Sequence, residues 1–382
     1  MSAFGGPVTV ERAARLLRSR SLAAALSVLC VVATAACGSS ADPPTNRPRI
    51  AFLMPDIEAT RYDRFDVPLF LDKVRALCPA CEVISRNAVS LHKTQVFQAE
   101  EALDAGAKVV VLDPVDGKAA AEIVRKAKAR KAAVISYDRL VEDADIDYYI
   151  SADNENIGRL QATALVQRLR RAGITSGRIV MINGSQTDNN ALQYNRGARS
   201  VFDSTGFQTV PKPDFFTPGW QPARARDFMA QQISDLRLAK ESEPTALGFV
   251  GVYAANDGVA AAAIDAMNAA GIRPLPPVTG QDAELPAIRR IVSGEQYMTI
   301  QKDYRTEAER AADIAVALLH GKRPPVTART RDGGREIPSV FVGAVTLTRE
   351  NLESAVIDND IYSFGEICTN DLIGACTDAG LS

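Results

Sequence analysis

The chain predicts an α/β protein of two lobes, each a parallel sheet covered by helices on both faces, the lobes joined by several chain crossings. Three observations predict this. Short β-branched runs alternate with Ala-rich stretches of helical period almost throughout the 382 residues. The runs are short and apolar without strict alternation, as strands buried on both faces require. The helical stretches close on glycine, at Gly106, Gly173, Gly271 and Gly321. In chain order, strands are expected at 50–54, 109–112, 133–137, 148–151, 178–182, 247–252 and 298–301. Helices are expected at 97–105, 119–129, 157–172, 259–270 and 307–319. A first lobe is assigned to 49–152 with the returning segment 303–325, and a second to 153–302 with 326–367. The strand near Ser339 is expected to join the second lobe, and residues 368–382 form a stapled tail.

The first 36 residues read as an export signal rather than part of either lobe. Arg12, Arg15, Arg18 and Arg20 form a positive region, and an apolar run follows at 22–34. Small residues then lead to a cysteine: Thr34-Ala35-Ala36-Cys37-Gly38. This junction resembles the lipobox of bacterial lipoproteins, which implies cleavage before Cys37 and a lipid on its sulfur. Thr34 departs from that pattern, which usually has a larger aliphatic residue. Residues 37–48 are polar and Pro-containing, as a flexible tether is. Loss of the signal removes four arginines and one glutamate, taking the formal charge from −2 to −5. A mildly acidic chain without a basic cluster is a poor nucleic-acid binder. No later apolar run approaches the roughly 20 residues needed to cross a bilayer.

Besides Cys30 and Cys37, the cysteines form two close pairs, Cys78 with Cys81 and Cys368 with Cys376. Two local disulfides in an oxidising compartment account for them. Cys78-Pro79-Ala80-Cys81 also has redox-motif spacing, but a redox pair opens a helix after a strand, whereas this one closes a helix and precedes a strand. His92 and His320 do not stand at zinc-ligand spacing from the cysteines. Neither a metal nor a cofactor is expected.

In open parallel sheets ligands sit beyond the carboxyl ends of the strands. Those positions carry Pro55-Asp56 and Arg61-Tyr62, then Asp138-Arg139, then the run Asn183 to Asn190. Trp220, Ala255-Asn256-Asp257, Gly280-Gln281-Asp282 and Lys302 follow. Carboxylates accept from neighbouring hydroxyls, Arg, Lys and Asn donate to the same oxygens, and an aromatic ring covers the C–H face of a pyranose. The set Arg61, Tyr62, Asp138, Arg139, Asp188, Asn190, Trp220, Asn256, Asp282 and Lys302 is therefore a sugar-binding kit. Asn189 and Asp257 read instead as helix N-caps.

These segments resemble the D-xylose-binding proteins of bacterial ABC transporters, within the ribose- and galactose-binding superfamily. The matching pieces are Tyr137-Asp138-Arg139-Leu140, residues 143–151, Asp153-Asn154-Glu155, residues 183–190, Ala255-Asn256-Asp257, Gly280-Gln281-Asp282-Ala283 and residues 298–302. They follow the family's order over nearly the whole mature chain. The resemblance implies the type I periplasmic binding protein fold, two Rossmann-like lobes on a multi-crossing hinge. It implies a monomeric, non-enzymatic carrier that hands a monosaccharide to ABC permease subunits from a lipid anchor outside the cytoplasm. The ten residues above are the expected sugar contacts, with Tyr62 where the family often has tryptophan. The Asp-x-Asn-x-Asp calcium loop of galactose-binding relatives is missing; Asp358-Asn359-Asp360 lacks the glycine and later glutamate. Two other readings compete: a sensor of the same fold presenting sugar to a receptor kinase, and a carbohydrate hydrolase. The hydrolase needs two carboxylates at a set separation with one pKa raised, whereas here each carboxylate has a cation or amide beside it in its motif.

Overall fold

The computed structural model describes residues 47–238, 248–326 and 328–382. The signal segment, Cys37 and the tether up to Asn46 lie outside the described residues.

The first lobe opens with β1 (Arg49–Met54), whose five C-terminal residues are buried. A single π turn, Tyr62–Asp66, runs into α1 (Val67–Leu77). Then come β2 (Glu82–Asn87), α2 (His92–Asp104), β3 (Ala107–Leu112), α3 (Ala121–Ala129), β4 (Ala133–Tyr137) and β5 (Tyr148–Ala152). The chain crosses into the second lobe through α4 (Asn154–Arg171). There it forms β6 (Ser176–Asn183), α5 (Asn189–Phe202), β7 (Gly206–Phe216), α6 (Pro222–Leu238), β8 (Gly251–Ala254), α7 (Asp257–Ala269), α8 (Leu285–Ser293) and β9 (Met298–Lys302). It returns through α9 (Tyr304–Leu319), β10 (Ala328–Asp332) and β11 (Arg335–Val342). It crosses a third time into β12 (Ala344–Thr348), and α10 (Phe364–Ile367) and α11 (Ile373–Asp378) complete the tail. The second and third crossings touch, Asp303 N–H donating to Gly343 O at 3.0 Å.

The first sheet has the order β10-β11-β5-β4-β3-β1-β2, parallel except for the β10–β11 pair. Each face has its own core. Phe70 and Val74 of α1 and the alanines 308, 311, 312 and 315 of α9 cover one face. Ala99 and Ala102 of α2 with Ile123, Val124 and Ala127 of α3 cover the other. Alanines on α9 let the helix axis sit close to the strands, which is why an Ala-rich stretch can still build a core. In the second lobe β7-β6-β8 are parallel. Residues 277–280 extend them, since Val252 N–H donates to Pro277 O, and Tyr297 and Ile300 N–H donate to Val278 and Gly280 carbonyls. The sheet thus continues to β9, which pairs antiparallel with β12. Helices α4 and α5 cross so closely that a Cβ at Gly158 would strike the Tyr194 backbone, and one at Gly197 the Glu155 backbone. That crossing seats the N-terminus of α5, where two of the expected site residues lie.

The structure corrects the expected apportioning at one place. Residues 326–367 do not all join the second lobe: β11 pairs in parallel with β5, from Ser339 with Tyr149 to Val342 with Ala152, and β10 pairs with β11. The open edge of β5 needs partners for its N–H and C=O groups, and Phe341 packs edge-on against Tyr149, centroids 6.1 Å apart. Past Gly343 the chain adds to the second lobe: β12 pairs with β9, and Leu352, Val356, Tyr362 and Ile367 pack with Ile288, Ile291 and Val292 of α8. The strand expected at 247–252 is β8, which starts later, at Gly251; Leu247 lies outside the described residues. Cys78 is bonded to Cys81 and Cys368 to Cys376. Among the described residues no helix is long and apolar enough to cross a membrane.

Candidate ligand-binding site

The carboxyl ends of both sheets face one cleft. It is lined by Asp56, Glu58, Ala59, Tyr62, Asp138, Arg139, Asp188, Asn190, Tyr194, Trp220, Asn256, Gln281, Asp282 and Lys302, around ≈ 340 Å³ of space that opens to solvent. Nine of the ten expected contacts are in that lining. A roomier hollow of ≈ 1140 Å³ lies behind the hinge, but its charged lining, Asp303, Arg305 and Asp360, is exposed apart from Lys302. Buried, convergent polar groups are what mark a ligand site, so the smaller cleft is the candidate.

The first lobe supplies Tyr62, Asp138 and Arg139. Asp138 follows β4 with φ of 51°, a left-handed conformation that costs a non-glycine residue energy and is found at functional sites. Its backbone is pinned: N–H donates to Ile150 O at 2.8 Å, while O accepts from Ser151 Oγ at 2.6 Å and Tyr149 OH at 3.2 Å. Its carboxylate accepts from Lys302 Nζ at 2.8 Å and, at 3.5 Å, from Tyr62 OH. Arg139 donates from Nη2 to Asp56 Oδ2 at 2.7 Å, and its Nε lies 3.2 Å from Asp188 Oδ2 in the second lobe.

The second lobe supplies the rest. Asp188 caps α5 by accepting from Asn190 N–H at 2.8 Å, and its other oxygen accepts from the Trp220 indole N–H at 3.0 Å. Asn190 donates from Nδ2 to Asp138 O at 3.1 Å, across the cleft. Asn256 caps α7, its Oδ1 accepting from Val259 N–H at 2.9 Å. Trp220 and Asp282 also hold positive φ, 59° and 100°, so strain recurs on both walls. The caps correct one sequence expectation. Asp188 and Asn256, read as ligand groups, are the N-caps, while Asn189 begins α5. Asp257 is fully buried, accepting from Glu284 N–H, Gln296 Nε2 and Thr299 Oγ1 at 2.8–2.9 Å.

Arg61 departs from its expected place on the wall. It stands behind Asp138, bonded to both oxygens of Asp66 and, at 2.8 Å, to Glu307 Oε2, with its guanidinium 4.1 Å from the Tyr304 ring centroid. Its Nη1 is 3.5 Å from Asp138 Oδ1 and is a buried donor without a hydrogen-bond partner among the described residues. Glu58, Ala59 and Tyr194 join the lining beyond the ten expected residues, as do Asp56 and Gln281, which the sequence marks only as strand-end neighbours. Tyr194 was reachable, since it lies four residues beyond Asn190 on one helix face. Asp66 and Glu307, which hold Arg61, gave no local signal.

The electrostatics are mixed. Burial would raise the Asp138 pKa, but Lys302 and Arg61 outweigh it and hold the carboxyl below the usual carboxylate range. Burial pushes Asp188 up against the pull of Arg139, and Asp282 up against that of Lys302. Burial also lifts Glu307 to about 8 in spite of Arg61. The cleft thus combines an acceptor-only carboxylate with carboxyls shifted toward the neutral, donating form. Among the described residues no group of three or more His, Cys, Asp or Glu side chains is placed to hold a metal ion.

Two sheet-based lobes that meet across a polar cleft, with three chain crossings beside it, define a bilobal α/β binding protein. The chain belongs to the periplasmic binding protein family: the family model for the periplasmic binding protein domain matches residues 50–323. It is 32% identical over 323 residues to the D-xylose-binding periplasmic protein of Escherichia coli, covering 84% of this chain and 92% of that one. It is also 32% identical over 294 residues to the multiple sugar-binding periplasmic receptor ChvE of Rhizobium radiobacter, covering 72% and 80%. The solved carbohydrate transporter solute binding protein of Chloroflexus aurantiacus, in complex with D-glucose, superposes with a TM-score of 0.73 at 27% identity, covering 83% of this chain and 97% of that one. The fold is that of the type I periplasmic binding proteins.

Proposed function

We propose that the chain captures a monosaccharide, D-xylose, in this cleft by closure of its two lobes, and delivers it to the permease of an ABC transporter. The observation that carries this reading is the convergence of Asp138, Asp188 and Asp282 with Arg139 and Lys302 beside the rings of Tyr62 and Trp220. Forked acceptors and donors on both walls serve the hydroxyls of a ring, and the aromatic faces serve its C–H surface. The D-xylose-binding relative of Escherichia coli supports the pentose. Arg61, behind Asp138, supports the negative charge of the carboxylate that faces the cleft.

Contacts that join the lobes support closure: Lys302 with Asp138, Arg139 with Asp188, Asn190 with Asp138 O, and Gly117 N–H with Thr187 O at 3.0 Å. A ligand touching both walls binds the closed form better and shifts the population toward it. The protein is a carrier rather than an enzyme. Export on the N-terminal signal and lipidation at Cys37 hold it at the outer face of the cell membrane, as a monomer.

Calorimetry with a panel of pentoses and hexoses tests the ligand. D-xylose is expected to bind most tightly; tighter binding of glucose or ribose would overturn the pentose. Small-angle scattering tests closure, with a smaller radius of gyration expected at saturating D-xylose.

A further inference from the structure

Asp113 is the first residue after β3, and it is fully buried. Its backbone is held from both sides: N–H donates to Leu53 O at 2.9 Å, and O accepts from Gln95 Nε2 of α2 at 2.7 Å. Yet neither carboxylate oxygen has a hydrogen-bond partner among the described residues. Buried polar groups are nearly always satisfied, and one that is not calls for a cause. The nearest cation is Arg139, whose Nε lies 3.7 Å from Asp113 Oδ1.

Arg139 explains the arrangement. Its Nη2 is held by Asp56 in its own lobe, and its Nη1 reaches Pro114 O at 3.4 Å, in the loop that Asp113 opens. Its Nε stands between two carboxylates from opposite lobes, 3.2 Å from Asp188 and 3.7 Å from Asp113. We propose that Asp113 is a positioning residue for Arg139: in the open form it takes the Nε–H, and closure draws Nε toward Asp188, leaving the Asp113 carboxyl without a hydrogen bond. This inference rests on the closing-cleft reading of the function. The bare carboxyl is a cost borne by the closed form alone, so Asp113 biases the free protein toward opening and weakens the apparent affinity by the same factor.

The surroundings fit a group that loses its partner. Burial pushes the Asp113 pKa up, Arg139 pulls it down, and Asp138, Arg61 and Asp56 contribute in turn. Beyond these, Tyr62 presents its phenol from the π turn and Gln95 its amide from α2. The loop that Asp113 begins carries Gly117, whose N–H meets Thr187 O of the second lobe, so this segment touches the moving lobe directly.

The test uses the mature protein with D-xylose as probe, comparing wild type with Asp113→Asn and Asp113→Leu. Relieving the unpaired acid is expected to tighten D-xylose binding by about fivefold or more. The sugar-free variants are expected to scatter as more compact particles than sugar-free wild type. A side chain with only a structural role would not tighten binding when removed. Variants that keep wild-type affinity and wild-type sugar-free dimensions, or that bind more weakly while melting cooperatively, overturn the inference and leave the sugar reading standing. A wild-type protein that neither binds nor compacts overturns both.

Discussion

Lys302 Nζ sits 2.8 Å from Asp138 Oδ1, and this ion pair joins the end of β9 in one lobe to the loop after β4 in the other, 164 residues away in sequence. Both side chains are almost fully buried, at 2% and 4% exposure. Removing one partner of such a pair strands the other charge away from water, which costs far more than the pair contributes in place.

Lys302→Met is therefore expected to weaken D-xylose binding by about 100-fold or more. Asp138→Asn is expected to weaken it too, by removing the negative charge that the buried Lys302 and Arg61 face. Titration calorimetry reads both; an affinity within threefold of wild type would mean that the pair does not join the working form.

The wall made by Trp220 can be moved without touching a polar group. Gly184 packs against the indole so closely that a Cβ there would overlap its six-membered ring. Gly184→Ala should displace the ring, break the indole N–H bond to Asp188 and lower sugar affinity by about 10- to 100-fold. Fluorescence of the sole tryptophan should shift in the sugar-free variant.

Affinity is expected to depend on pH through Glu284. Its Oε1 accepts from Thr60 N–H of the opposite lobe at 3.0 Å. Burial lifts its pKa from 4.5 to about 7, with Asp282 adding to the rise and Arg290 opposing it. In an open cleft the group regains water and its ordinary value. The closed form then holds the proton more tightly, so this contribution is complete below the ordinary value and is lost as pH climbs through about 7. D-xylose should bind more tightly at pH 5 than at pH 8, and Glu284→Gln should make the profile shallower by up to about one log unit per pH unit. An unchanged slope in the variant would remove Glu284 from the closing contact.

The tail is expected to matter for stability rather than for the sugar. Cys368–Cys376 closes a short loop, at a sequence separation of 8, beside a cluster in which Ile288, Ile291 and Val292 of α8 pack with Tyr362, Ile367 and Leu381. Replacing both cysteines by serine should cost about 2–3 kcal/mol, seen as a lower unfolding midpoint. No residue of the tail lines the cleft, so affinity should stay within about twofold.

The N-cap assignments show how far local sequence carries. That a polar residue caps α5 and α7 follows from the unpaired N–H groups of a first turn, and it could be read from the run at 183–190 and from Asn256-Asp257. Which of two adjacent polar residues does the capping depends on the angle at which the chain enters the helix, and there the expectation was off by one residue at both places. Strand β11 is a similar case. Its residues announce a strand, but β5 and β9 both presented an edge; β11 took that of β5 and β12 that of β9, a choice no local pattern encodes.

The sequence by itself determined the alternating α/β pattern, the two-lobed organisation, and the polar kit trailing the strands, because strand and helix periods, caps and glycine stops act over a few neighbouring residues. Tertiary structure alone decided that Arg61 stands behind Asp138, held by Asp66 and by Glu307 from 246 residues away. It also decided that Asp113 faces Arg139 without a hydrogen bond, and that β10 and β11 belong to the first sheet. Those outcomes come from the desolvation of charges that must find partners wherever the fold brings them together, and no local pattern records where that will be.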